Sequence, residues 1–171
     1  GKRDKACFTV PVGKDRPRNA ENIAFTSRQK MRQKMHIAID ARWIFPEISG
    51  IGNYTRQLIE ELAGIDGDNL YSIIFNDPVI QKRTAQETGF NKNPNFHSCL
   101  FPYGVFSPLS QVFLPGYLKR TGCDVYHSTN YMIPLLAFGK RGKRARPRCM
   151  VTIHDVIPLL FPKAAPRSRK A

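Results

Sequence analysis

Short apolar runs, three of them closed by a polar residue, recur along this sequence and alternate with helix-like and loop-like stretches. His36 to Asp40 (HIAID), Leu70 to Phe75, Asn95 to Phe101, Asp124 to His127 and Cys149 to His154 read as five strands. Several are apolar in succession rather than at every second residue, which is the mark of strands buried on both faces. After the first of them, Asn53 to Ala63 places Tyr54, Leu58 and Leu62, with Ile59 and Ala63, on one helical stripe. Gly64 stands where a helix end takes positive φ. Ser107 and Pro108 read as an N-cap and first helical position; Pro115 is expected to break that helix and start a short second one ending at Gly122. Strands alternating with helices predict an α/β, doubly wound parallel sheet of Rossmann-like type, whose ligands bind beyond the carboxyl ends of the strands.

At 171 residues the chain has the length of one domain. Residues 1–34 show no sustained period and read as a basic, poorly ordered extension, with the folded part at 35–171. The last residues, 166–171, look like one turn of an unfinished helix, so the chain is expected to be a piece of something larger. The net charge of +14 invites a polyanion partner, yet it lies on the flanks. Residues 1–34 carry ten basic and three acidic side chains and residues 139–171 ten and one, whereas the stretch between them carries seven and nine. The basic run Lys140 to Arg148 lacks the interleaved aromatics of a nucleobase-stacking platform, so no nucleic-acid partner is expected. It follows the apolar stretch Met132 to Phe138 directly, a pairing that fits either a solvated loop or a peripheral membrane contact through residues 132–148.

No apolar run approaches the roughly 20 residues of a membrane span, and no uninterrupted apolar stretch follows the N-terminal lysines and arginines as a secretory signal requires. The four cysteines, Cys7, Cys99, Cys123 and Cys149, have neither CxxC nor other metal-ligand spacing, so no metal is expected. Three of them sit in strand-like segments and read as reduced, buried, inert thiols. These features point to a cytoplasmic protein, which a contact through residues 132–148 would make peripheral to the inner membrane face.

Four strand ends gather the polar residues: Asp40 to Arg42, Ser49 to Asn53, His127 to Asn130, and His154 with Asp155. A doubly wound sheet brings such ends to one edge. Gly50 and Gly52 before a helix let backbone N–H groups approach an anion, which the helix dipole favours; the alternative is that they only shape a tight turn. A dinucleotide fingerprint fits badly, because Thr55 occupies the third glycine position and nine residues separate Asp40 from Gly50. His127 reads as a structural histidine. His154 reads as functional, with Asp155 able to orient it or to act on a hydroxyl.

The segments HIAIDARWIFPEISGIGNYTRQLIEELA, CDVYHSTNYMIPL and VTIHDVIPLLFP resemble the N-terminal domain of the family 4 retaining glycosyltransferases, which have the GT-B fold. The resemblance spans residues 35–171 and implies a hexosyltransferase moving a hexose from a nucleotide-diphosphate sugar to a hydroxyl acceptor, a sugar or lipid-linked sugar, with no separate cofactor. It places Gly50 and Gly52, with Asn53 beside them, at the donor diphosphate, and His154 at the donor sugar near the reacting carbon, with Asp155 following it in the same motif as a second catalytic candidate. It also implies a C-terminal domain that this sequence does not include, so the chain alone is expected to be inactive. The competing expectation is a non-catalytic anion- or membrane-surface-binding α/β module.

Overall fold

The computed structural model describes residues 34–138, 147–156 and 160. The readings made on residues 1–33, on the basic run at 139–146 and on the terminal turn at 166–171 lie outside the described residues.

Five strands form one all-parallel sheet in the order β3-β2-β1-β4-β5: β1 (His36–Asp40), β2 (Leu70–Phe75), β3 (Phe96–Leu100), β4 (Val125–Ser128) and β5 (Arg148–Val151). The helices are α1 (Gly50–Ile65), α2 (Pro78–Thr88) and α3 (Pro108–Thr121). The register sets Asp40 beside Ile74 on one side and Ser128 on the other, with Val151 beside Ser128. The reversal of strand order at β1 opens a crevice between β1 and β4 at their carboxyl ends, the point where such sheets bind ligands.

Alternate side chains along β1 and β2 enter two different cores. Ile39, Ile73 and Phe75 pack with Ile59 of α1 and Ile80 of α2, while Ala38 and Ile74 pack with Tyr126, Leu114 and Leu118 beneath α3. This explains the unbroken apolar runs: neither face of the central strands meets water.

Several boundaries differ from the sequence expectation. α1 begins at Gly50, three residues early, because Ser49 caps it with its Oγ accepting from Gly52 N at 3.0 Å. It continues past Gly64 to Ile65 and ends at Asp66 in an extended conformation, so Gly64 takes no positive φ. α3 is one helix through Pro115, since Leu114 and Leu118 on either side of the proline are both anchored in the same core. Gly122 does end it, at φ 66°. β5 stops at Val151, three residues short of His154.

α2 has no counterpart in the sequence reading. Its buried positions are only Ile80 and Thr84, too few for a recognisable stripe. Its signals are local: Asp77 accepts from Val79 N and Ile80 N, Pro78 starts the helix, and Gly89 ends it at φ 65°. The thiols also depart from expectation, for Cys123 is buried but Cys99 is half-buried and Cys149 exposed on the edge strand β5.

Candidate functional site

The carboxyl edge sorts its polar residues into buried and exposed sets. Asp40 and Arg42, expected to line the crevice, are instead buried at 1% and 3% exposure. The Arg42 guanidinium forms a two-pronged pair with Asp40, Nε to Oδ1 at 2.8 Å and Nη2 to Oδ2 at 2.7 Å, and Nη1 donates to Tyr103 O and Ser110 Oγ. The Tyr126 hydroxyl donates to Asp40 Oδ2. Burial, together with the neighbouring carboxylate, pushes that phenol far above its ordinary range. This is a satisfied internal network that ties β1, β4 and α3 together; the charge is consumed by packing and offers nothing to a ligand.

Ser128, Thr129 and Asn130 are likewise buried. The single Ser128 Oγ–H is shared between Asn130 O and Met132 O, and Thr129 Oγ1 donates to Asp40 O, so these side chains shape the turn that leaves β4. His127 is also internal. Its Nε2 lies 2.9 Å from Thr152 Oγ1, and burial lowers its pKa, which favours the neutral ring.

Two groups remain at the surface of this edge, the first turn of α1 and His154. In that turn Gly52 N is taken by Ser49 Oγ and Asn53 N by Ser49 O. The N–H groups of Gly50 and Ile51 precede the first intrahelical bond and form the positive end of the helix dipole. The two glycines are not equivalent. A Cβ on Gly50 would meet nothing within 4 Å, whereas one on Gly52 would lie 2.9 Å from Ser49 Oγ and 3.5 Å from Trp43 O. Gly52 thus sits tight against the side chain that caps the helix, and Gly50 leaves the helix end open. Asn53 is exposed, and its Oδ1 accepts from Arg56 Nη2, which turns the amide along the helix.

His154, about a hundred residues further along, is brought against this same turn. Its ring meets Tyr54 edge to face, with centroids 4.9 Å apart and planes at 82°. Its Nε2 lies 2.8 Å from Thr129 O, so Nε2 carries the proton and donates, which leaves Nδ1 as the acceptor of the neutral ring. Tyr54 in turn reaches Thr152 Oγ1 at 3.2 Å, the hydroxyl that also contacts His127. Asp155 follows on an exposed stretch of chain. Gly50, Gly52, Asn53, His154 and Asp155 thus lie at one end of the sheet, held by Ser49, Tyr54, Thr129 and Thr152. Tyr54 and Thr152 were not singled out from sequence as site residues, because Tyr54 reads as part of the helical stripe and Thr152 as a strand interior.

Among the described residues no group of three His, Cys, Asp or Glu is placed to hold a metal ion, and no helix is long and apolar enough to cross a membrane. No protein-family model matches this sequence, and no curated protein or solved structure matches it. The fold and this edge define a class: an α/β domain with a Rossmann-like parallel sheet and a helix N-terminus at its topological switch point.

Proposed function

We propose that this chain is the N-terminal, acceptor-side part of a retaining glycosyltransferase that moves a hexose from a nucleotide-diphosphate sugar to a hydroxyl of a sugar or lipid-linked sugar. The observation that supports the reading best is the contact between His154 and Tyr54, which sets an imidazole beside the open N-terminus of α1 at the switch point. In this reading the Gly50 and Ile51 N–H groups meet the diphosphate. Charge develops there as the bond from the sugar to the diphosphate breaks, and fixed dipoles stabilise it without reorganisation. His154 Nδ1 addresses the sugar, its ring orientation set by Thr129 O and Tyr54. Asp155 offers a carboxylate to the acceptor hydroxyl. The opposite wall, with the base and ribose contacts, belongs to a second domain, so this chain alone binds the donor no tighter than about millimolar, or about −4 kcal/mol.

The test is a nuclear magnetic resonance titration of the 171-residue chain with a nucleotide-diphosphate sugar and with the nucleoside diphosphate alone. Both should shift the amides of Gly50 and Ile51, and only the sugar should also shift the His154 ring. His154→Ala should abolish the difference between the two ligands while leaving the diphosphate response. Absence of any response at α1 up to about 10 mM, or identical responses to the two ligands in the unaltered chain, would overturn the proposal.

A further inference from the structure

The helix α3 is apolar on two opposite sides, and among the described residues the core takes up only one. Ser110, Leu114 and Leu118 face the core; Leu109, Val112 and Phe113, with Gly116 in line, form a second stripe that is 49%, 61% and 49% exposed at its three large residues. An apolar stripe on a helix calls for cover, and among the described residues this second one has none over its three large side chains. Beside the stripe, between α3 and the chain leaving β3, runs a groove of about 550 Å³ walled by Phe101, Tyr103, Phe113 and Tyr117, with Arg120 at its rim.

The charges next to this face decide what it can meet. α3 contains no acidic residue and ends on Lys119 and Arg120. The 3-10 turn Leu135–Ala137 packs beside α3 and adds Leu135, 72% exposed. Two residues beyond that turn's neighbour Phe138, which is packed in the α3 core, the sequence enters the basic run that starts at Lys140. A second copy of a chain with net charge +14 would bring like charges together across such a face, whereas an anionic surface would gain from them.

We infer that the outer face of α3, with Leu135, is a seat for the surface of an anionic phospholipid bilayer: Leu109, Val112 and Phe113 enter the acyl boundary while Lys119 and Arg120 meet the headgroups. The inference is independent of the glycosyltransferase proposal and stands or falls without any sugar chemistry. It sets a helix of the fold itself beside Leu135, which belongs to the stretch 132–148 that the sequence offered for such a contact.

Vesicle co-sedimentation of the whole chain tests it, with phosphatidylglycerol vesicles against phosphatidylcholine vesicles. Binding should be at least tenfold stronger to the anionic ones. Because basic flanks alone can hold a protein on anionic lipid, two substitutions with the same charge change are compared. Val112→Glu, on the exposed stripe, should weaken binding at least tenfold; Gln86→Glu, exposed on α2 across the sheet, should change it less than twofold. Val112→Trp should strengthen binding, with a blue-shifted emission on vesicle addition. Equal effects of the two glutamates would assign the binding to the flanks and overturn the inference. So would a dimer in sedimentation velocity that Val112→Glu dissociates, with no vesicle binding in the parent chain.

Discussion

Exchanging Gly50 and Gly52 for alanine, one at a time, asks which glycine the fold requires. A Cβ at Gly52 lies 2.9 Å from Ser49 Oγ, closer than real Cβ atoms come, while its distances of 3.5 Å to Trp43 O and 3.6 Å to Ile44 Cα are ordinary contact. The clash is thus with one rotatable side chain. Rotating Ser49 about χ1 relieves it but gives up the cap on Gly52 N, a loss of about 1 kcal/mol. Against this, alanine in a helix gains about 0.5 to 1 kcal/mol over glycine. Gly50→Ala meets nothing and keeps the whole gain. Urea denaturation should therefore show Gly50→Ala stabilised by about 0.5 to 1 kcal/mol and Gly52→Ala neutral to about 0.5 kcal/mol less stable. The mechanism is read from a double-mutant cycle. In a Ser49→Ala background the obstacle is absent and the cap already lost, so Gly52→Ala should turn stabilising. If Gly52→Ala costs as much there as in the parent chain, the close approach is to the backbone of Trp43 and Ile44 and the argument from the cap fails.

Arg42→Ala strands a buried Asp40 carboxylate and should cost about 3 to 5 kcal/mol in chemical denaturation; a loss under about 1 kcal/mol would show that water reaches the network. Pro115→Ala restores an N–H inside α3 and should raise the melting temperature by a few degrees, and a fall would show that the proline ring itself fills space there. Burial lowers the pKa of both His36 and His127, so the folded chain binds fewer protons than the unfolded one. Stability from these rings is therefore complete above about pH 6.5 and declines as the pH falls below it, towards the lowered folded values. The denaturation midpoint should drop between pH 7 and pH 5, and His127→Gln should flatten that slope.

Legibility in the sequence followed physical cause. The strands were readable because burial on both faces demands apolar runs such as Ile37 to Ile39 and Ile73 to Phe75. Caps and prolines were less readable, since their outcome depends on tertiary anchoring. Pro115 breaks an isolated helix, yet Leu114 and Leu118 hold both halves in one core. α2 escaped notice because it is held by Asp77, Pro78 and Gly89 at its ends rather than by an apolar stripe. At the site, sequence brought the right strand ends to one edge but had no means to tell which polar side chains would be spent on one another.

That distinction governs where chemistry can occur on this edge. Asp40, Arg42, Ser128 and Thr129 look from sequence like residues lining a ligand crevice, but in the fold their bonds run inward, to each other and to Tyr126. Their burial makes the edge rigid, and rigidity is what a dipole needs if it is to act on developing charge without first reorganising. The candidate polar groups left exposed beside this scaffold are the opening turn of α1 and the stretch carrying His154 and Asp155, joined through Tyr54 and Thr152. A substitution in the scaffold should therefore register first in stability, and one at His154 in ligand response with the denaturation midpoint unchanged. Measuring both quantities on each variant separates the part of the edge that builds the domain from the part that meets a ligand.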